Sequence, residues 1–293
     1  MWRRSTISTD DGNEIVYWQR GSSNQPLAIV LPGLIGQLQP LDDLCSMLSD
    51  DHHIVCLNHR GLYGAPAGNT DAYDVASWHR DVDALVKHLA ARHILWIGWS
   101  AGGRMAVEAA QRHEAESRAV ITIAGTFGRP FEQRLQTLIK PGSSVFRMIS
   151  EFQAAIKPGL KSPRWLPELV RSTFTGTILR LTGITSETTA SNQINELIAH
   201  TLDNDLHALV GMWRGVSRHC AQPWRHELSI PSLWFSAERD VLTPVTAVRA
   251  AALGPLAELM VVPGASHLLT LDQPELLRLK TQEFLRRLVA RSH

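Results

Sequence analysis

Short apolar runs alternate with amphipathic stretches along the first 126 residues of the chain. Runs of about five apolar residues predict buried strands, and an apolar residue every three or four positions predicts a helix. Two antiparallel strands come first, joined by the turn sequence Asp11-Gly12-Asn13. The alternation that follows is typical of an α/β fold, a mostly parallel sheet with helices on both faces. The predicted strands lie near 4–9, 14–20, 27–31, 53–57, 93–98 and 119–124, and the predicted helices near 40–49, 75–91 and 101–113.

One strand and the helix after it are joined by Gly98-Trp99-Ser100-Ala101-Gly102, a G-x-S-x-G sequence. A serine between a buried strand and a helix lies in a sharp turn that strains its backbone and exposes its hydroxyl group. Glycines two residues before and after the serine allow the neighbouring backbone segments to approach that closely. In this setting the sequence predicts that Ser100 is a catalytic nucleophile.

A serine hydroxyl group needs a base, and a histidine base needs a carboxylate that orients it. His267 follows the last predicted strand in a loop of small residues, and Asp240 lies in a polar turn after an earlier strand. Glu238, two residues before Asp240, is the alternative acid. His59 and His79 precede the serine and are not expected to be catalytic. The predicted triad is therefore serine, aspartate and histidine in that chain order.

This order, together with the strand before the serine, resembles the serine-nucleophile branch of the α/β hydrolase superfamily with a helical cap, as in esterases and lipases. The resemblance covers about residues 14–126 and 228–290. The spacing from Asp240 to Pro244 resembles the family pattern G-x-x-D-x-x-x-P, which favours Asp240 over Glu238 as the acid. The resemblance also implies an oxyanion hole formed by the backbone N–H groups of Leu34 and Ala101. Leu34 follows Pro32-Gly33, where the family usually has His-Gly, and proline has no N–H to donate.

The segment between the two covered parts carries no recognised motif, and Pro-Gly pairs interrupt its predicted helices. In the family that the chain resembles, an insertion here is a cap over the active site. We therefore predict a hydrolase core over 1–126 and 225–293 and a helical cap over 127–224. Aromatic residues in a cap can bury it against the core or line an apolar cavity. The candidate substrate-lining residues are Trp99, Phe127, Phe131, Phe146, Phe152, Trp165 and Trp213.

Composition limits the remaining classes of function. The chain has 293 residues and a net charge of +1, without a block of like charges, which argues against a nucleic acid partner. Cys45, Cys56 and Cys220 are scattered and are expected to be buried, reduced thiols. The N-terminus lacks the apolar region of a signal peptide, and no apolar run approaches the length of a membrane span. A cytoplasmic location is the expectation.

The histidines of the predicted cap, His200, His207 and His219, show no spacing typical of metal ligands, so neither a metal nor an organic cofactor is expected. We predict a serine-dependent hydrolase that acts on a small-molecule apolar carboxylic ester through an acyl-enzyme. The oligomeric state stays open.

Several other activities share the same residues. A thioesterase or an acyltransferase would use the same acyl-enzyme. Thioesterases of polyketide and peptide synthesis, however, usually have the acid near the position of Gly125-Thr126, where this chain has no acidic residue. A C–C bond hydrolase or a cofactor-free perhydrolase is a further alternative, as is a non-catalytic binding protein of the same fold. Epoxide hydrolases and dehalogenases are disfavoured because they carry aspartate at the position of Ser100.

Overall fold

The computed structural model describes residues 1–10, 12–67, 73–128, 179–180, 184–220, 222, 224 and 227–290. Its strands are β1 (Arg3–Ser8), β2 (Glu14–Arg20), β3 (Leu27–Leu31), β4 (His53–Leu57), β5 (Ile94–Trp99), β6 (Ser117–Ile123), β7 (Ser232–Ala237) and β8 (Ala257–Val262). They form an eight-stranded sheet in the order β1-β2-β4-β3-β5-β6-β7-β8. In it β2 runs antiparallel to both neighbours and the other pairs are parallel. The predicted α/β fold with a mostly parallel sheet is confirmed.

The described helices cover the sheet on both faces. They are a 3-10 turn (Gln39–Leu41), α1 (Asp42–Leu48), α2 (Val75–His88), α3 (Ala101–Arg112), α4 (Ser191–Leu202), α5 (Leu206–Cys220), α6 (Val245–Ala251), α7 (Leu269–Asp272) and α8 (Pro274–Ala290). Successive side chains of a strand point to opposite faces. Leu27, Ile29 and Leu31 accordingly join the cluster under α2, α3 and α6, whereas Ala28 and Val30 join the cluster under α1 and α8. None of the described helices is both long and apolar enough to cross a membrane.

Element boundaries differ from the predicted ones where the backbone leaves its regular conformation. Helix α2 ends at His88, short of the predicted residue 91, and Ala90 just beyond it has φ +44°. A left-handed residue of this kind ends a helix. His93 has φ +55°, so β5 begins at Ile94 and not at residue 93. The hydrophobic pattern of the sequence does not predict the position of these local turns.

Two helices of the predicted cap segment lie directly on the core. A Cβ on Gly36 would be 1.8 Å from Leu197 Cδ1, so α4 touches the loop that follows β3. A Cβ on Gly215 would be 2.2 Å from the carbonyl oxygen of Tyr73, so α5 is in close contact with the start of α2. The domain boundaries at 126 and 225 stay a prediction. Four candidate lining residues lie outside the described residues, namely Phe131, Phe146, Phe152 and Trp165.

The three cysteines are buried and free of disulfides, as their spacing predicts. Burial raises the pKa of the Cys45 and Cys220 thiols to about 12 and raises the pKa of Cys56 well above its ordinary value. A thiol with so high a pKa is hardly ionised at neutral pH and therefore contributes little thiolate.

Candidate active site

Ser100 lies in a strained turn between β5 and α3. Its backbone angles are φ +55° and ψ −123°, a region that residues other than glycine rarely adopt. A Cβ on Gly98 would be 2.1 Å from the carbonyl oxygen of Gly102, and a Cβ on Gly102 would be 1.9 Å from that of Leu31. Neither position has space for a side chain, so both glycines are required for this turn.

The structure brings the side chains of Ser100, Asp240 and His267 together from the ends of three strands. His267 follows β8, and its Nε2 lies 2.9 Å from Ser100 Oγ. Its Nδ1 lies 2.9 Å from Oδ2 of Asp240, which follows β7. The imidazole and the carboxylate are both buried, with side-chain exposures of 4% and 0%. The three groups therefore form a continuous line of hydrogen bonds.

The Asp240 carboxylate is oriented by the turn in which it lies. Oδ1 accepts hydrogen bonds from the backbone N–H groups of Leu242 (2.8 Å) and Thr243 (2.9 Å). Oδ2 accepts one from the Thr243 hydroxyl group and faces His267. Glu238, the alternative acid, is exposed and accepts a hydrogen bond from the N–H of Gly264 at 2.8 Å. The structure thus places Asp240, and not Glu238, against the histidine.

The loop after β3 passes against the serine, and a buried histidine sets its orientation. A Cβ on Gly33 would be 3.2 Å from Ser100 Cβ. His59, just beyond β4, donates a hydrogen bond from Nε2 to the carbonyl oxygen of Gly33 at 2.9 Å. In a planar trans peptide the C=O of one residue and the N–H of the next point in opposite directions. The bond from His59 therefore also sets the direction of the Leu34 N–H.

His59 is suited to this structural task because it is neutral. Burial lowers its pKa to about 4, despite hydrogen bonds to the carbonyl groups of Gly33 and Pro32 that favour the charged form. Its ring packs edge-on against Trp78, with 4.3 Å between the ring centroids. Sequence analysis gave this histidine no role, since the residues around it carry no motif that points toward the serine.

The same loop is held by residues on two further elements. The Tyr63 hydroxyl group accepts a hydrogen bond from the N–H of Gly36 (2.7 Å) and donates one to the carbonyl oxygen of Leu34 (3.1 Å). Thr201 of α4 also accepts from the Gly36 N–H, at 3.2 Å. Ala101 is the first residue of α3, where a backbone N–H has no acceptor within the helix. Ala101 thus directly follows Ser100, and Leu34 follows the glycine that passes against it.

Asp272 is a second buried carboxylate that sequence analysis missed. It accepts hydrogen bonds from the backbone N–H and the hydroxyl group of Ser266, each at 2.7 Å. The hydroxyl groups of Ser186 (2.7 Å) and Thr189 also donate to it. Asp272 therefore fixes the residue before His267 and connects the histidine loop to the predicted cap segment. An aspartate shortly before a proline-initiated helix is typical of a helix cap, so no local signal indicates this contact.

Two of the candidate lining residues are packed inside the core, which corrects their predicted position. Trp99 is 0% exposed, and its indole N–H donates to the carbonyl oxygen of His267 at 3.4 Å. Phe127 packs against Trp234, with 5.0 Å between the ring centroids. Trp99 belongs to the core cluster under α1 and α8, and Phe127 to the one under α2, α3 and α6. Trp213 is half-buried on α5.

Comparison with known proteins agrees with the observed fold. Residues 31–278 match the model of the Alpha/beta hydrolase family. A thermophilic esterase from Thermogutta terrifontis has a similar structure, with 19% identity, a TM-score of 0.69 and coverage of 98% of this chain and 99% of that one. A serine hydrolase involved in carbazole degradation matches with 14% identity, a TM-score of 0.69 and coverage of 98% and 99%. The ligand-free epoxide hydrolase CorEH matches with 17% identity, a TM-score of 0.68 and coverage of 98% and 100%.

Proposed function

Because this chain belongs to the alpha/beta hydrolase family, we propose that it hydrolyses apolar carboxylic esters with Ser100, His267 and Asp240 as its catalytic triad. The line of hydrogen bonds from Ser100 Oγ through the imidazole to Asp240 Oδ2 carries the proposal, with 2.9 Å at each step. The strained backbone of the serine supports it independently, since such strain concentrates at functional sites.

In the first step Ser100 Oγ attacks the ester carbonyl carbon while His267 Nε2 accepts the hydroxyl proton. Nδ1 keeps the other ring proton and donates a hydrogen bond through it to Asp240, whose negative charge stabilises the imidazolium ion that forms. The carbonyl oxygen becomes an oxyanion, and the N–H groups of Leu34 and Ala101 bind it. Removing one such donor costs about 2.7–4 kcal/mol in other serine hydrolases. The orientation of the Leu34 N–H by His59 is therefore part of the proposal.

In the second step the tetrahedral intermediate collapses and the bond to the leaving group breaks. His267 Nε2 returns its proton to the departing alkoxide, which leaves as the alcohol. Water then attacks the acyl-enzyme while Nε2 accepts a proton from it. The second tetrahedral intermediate releases the carboxylic acid, and the proton returns to Ser100 Oγ. The cycle needs no redox partner, and every proton passes through His267.

The apolar nature of the acyl group is inferred from the composition of segment 127–224. Apart from Phe127, which packs in the core, four of the seven phenylalanines of the chain fall within it. Within the described part of this segment, helix α4 contacts the loop after β3, which carries the proposed donor Leu34. A thioesterase or an acyltransferase stays an alternative because it differs in the leaving group or the acceptor and not in the triad.

A fluorophosphonate probe tests the assignment of the nucleophile. It should label the protein at Ser100, as read by mass spectrometry of the digested chain. Ser100→Ala should abolish labelling and lower kcat at least about 10⁴-fold, as triad deletions do elsewhere. Ser229→Ala changes an exposed serine outside the triad and should leave both unchanged. Labelling of the Ser100→Ala variant would contradict the proposal.

Parallel ester and thioester series, from acetyl to octanoyl, test the substrate class. Each added methylene should contribute up to about 0.8 kcal/mol of transition-state binding, which raises kcat/KM a few-fold until the pocket is full. If kcat/KM does not change with acyl length, the enzyme selects its substrate by the leaving group and not by the acyl group. Faster turnover of the thioesters, or product formed with an added alcohol acceptor, would favour the two alternatives.

A further inference from the structure

We propose that His79, Glu108 and His219 form a binding site for a divalent transition-metal ion, with Zn²⁺ as the ion to test. The three residues come from α2, α3 and α5, and none of them belongs to the proposed triad. One ligand atom from each lies within 4.8 Å of the others. Two imidazoles and one carboxylate form a ligand set that binds zinc with a position left for water.

The ligand atoms already converge on one carboxylate group. Nε2 of His79 lies 2.9 Å from Glu108 Oε2, and Nε2 of His219 lies 2.7 Å from Oε1 and 2.9 Å from Oε2. In a tetrahedral zinc site with Zn–N and Zn–O distances near 2.1 Å, neighbouring ligand atoms are about 3.3 Å apart. Small side-chain rotations are therefore enough to admit an ion between these three atoms.

The second oxygen of Glu108 is held by an arginine that would stay in place. Arg104 Nε donates to Glu108 Oε1 at 2.8 Å. The same guanidinium group donates to the carbonyl oxygens of Cys220 (3.3 Å) and Gln222 (3.1 Å). Hydrogen bonds of this kind to a ligating carboxylate orient it toward the metal. Oε2 is therefore the oxygen available to the ion.

Glu108 is ionised and ready to bind a cation. Burial raises its pKa, but hydrogen bonds from His219, His79 and Arg104 outweigh that effect and hold the pKa well below its usual range. Each imidazole binds a metal through the Nε2 lone pair, so binding moves the remaining ring proton to Nδ1 or releases it from an imidazolium ion.

The cluster is open to solvent and to ions. A cavity of about 650 Å³ is lined by all three residues together with Arg104 and Gln222. The side chains of His79, Glu108 and His219 are 13%, 15% and 25% exposed. An ion can therefore enter and keep a water molecule as a further ligand. A bound ion would join the C-terminal end of α5 to the two core helices α2 and α3.

The chain contains a matched control on the same two core helices. His113 Nε2 lies 2.8 Å from Asp83 Oδ1, and Arg112 also donates to that carboxylate. This second group has an arginine, a carboxylate and a single histidine, so it offers one imidazole ligand fewer. If two converging histidines create the site, the His113 group should not bind the ion tightly.

The experiment uses the full chain without a histidine tag, after dialysis against a chelator. Isothermal titration with Zn²⁺ at neutral pH should give one tight site per chain. His79→Asn and His219→Asn should each lower the affinity at least about tenfold, whereas His113→Asn should leave it unchanged. Circular dichroism of each metal-free variant checks that it is folded. Co²⁺ should give visible absorption bands with the wild type that both ligand variants lose.

A wild-type chain that binds no Zn²⁺ would overturn the proposal, and the cluster would then be an ion-pair network only. The proposal also fails if both ligand variants bind as tightly as the wild type, or if His113→Asn weakens binding equally. Wild-type melting temperature should rise with Zn²⁺, and the rise should disappear in the His79→Asn and His219→Asn variants. An equal rise in these folded variants would again contradict the site.

Discussion

Two of the regions that pair a histidine with a carboxylate differ in what holds the carboxylate. In the strand-end region, defined here as Ser100, Asp240, His267 and His59, side chains follow the carboxyl ends of parallel strands. There backbone N–H groups occupy Asp240 Oδ1, and the carboxylate faces Nδ1 of its histidine. In the helical cluster of His79, Glu108 and His219, both imidazoles direct Nε2 at the carboxylate.

The nitrogen that contacts the carboxylate decides what the histidine can do. When Nδ1 is occupied, as in His267, Nε2 faces the serine hydroxyl group and can take its proton. In His79 and His219, Nε2 contacts the Glu108 carboxylate and not a hydroxyl group. These rings can therefore serve as hydrogen-bond donors or as metal ligands. The same residue types therefore support different chemistry. The triad residues lie in loops at the ends of strands, whereas His79, Glu108 and His219 lie on helices.

The largest expected effect is on kcat, and it comes from removing the carboxylate charge of Asp240 that faces Nδ1 of His267. Asp240→Asn should lower kcat by about 10⁴-fold without unfolding the protein, because the imidazole tautomer is no longer set. Steady-state kinetics with the best ester substrate measure this decrease in kcat. Glu238→Gln is the matched control and should change kcat less than about twofold. If Glu238→Gln caused the loss instead, the proposed acid would be wrong.

A second effect concerns the stability of the strand-end region in acid. His59 has its pKa lowered by burial from 6.5 to about 4, so below pH 6.5 the unfolded chain takes up a proton that the folded chain does not. The contribution of His59 to the free energy of unfolding is therefore fully present above pH 6.5. It decreases by about 3 kcal/mol as the pH falls toward 4. Urea unfolding at several pH values measures the slope.

His59→Leu provides the comparison, because leucine does not titrate. The free energy of unfolding of this variant should depend less on pH between 6.5 and 4 than that of the wild type. The two proteins are otherwise identical in sequence, so contributions that do not depend on His59 cancel in the difference. Equal slopes for the two proteins would mean that His59 is not kept neutral by the fold.

The same variant tests the orientation of the Leu34 N–H in catalysis. His59→Leu should lower kcat about 10- to 10²-fold with little change in KM, because a misdirected oxyanion donor weakens binding of the transition state only. His59→Gln keeps an N–H donor and should lose less activity. If the two variants retain full kcat, the peptide after Gly33 holds its direction without the histidine.

The smallest effect should be the stability of the helical cluster itself. Glu108→Gln weakens hydrogen bonds to Arg104, His79 and His219 at a site of low exposure and should cost about 1–2 kcal/mol of unfolding free energy. Asp83→Asn removes the corresponding charge at a 33% exposed site and should cost less than about 1 kcal/mol. Urea unfolding at neutral pH measures the two values, and an equal cost would mean that burial does not distinguish the two clusters.

Much of the strand-end region could be predicted because each of its residues follows a recognisable strand. Ser100 has glycines around it, and Asp240 and His267 each come directly after an apolar run. Parallel strands end at one edge of a sheet, so residues in these positions meet whatever the loop lengths between them. His59 also follows a strand, but its contact with Gly33 depends on side-chain packing that no local pattern reveals.

The sequence by itself determined the alternating strands and helices, the turn at Ser100 and the chain order of the three triad candidates, because periodicity and glycine placement act locally. Only the tertiary structure decided that Asp272 fixes the histidine loop and that Trp99 is buried beneath it. It alone brought His79 to Glu108, 29 residues away, and His219 to Glu108, 111 residues away. Contacts between residues so far apart depend on how three helices pack against each other, and the sequence near each residue contains no trace of that packing.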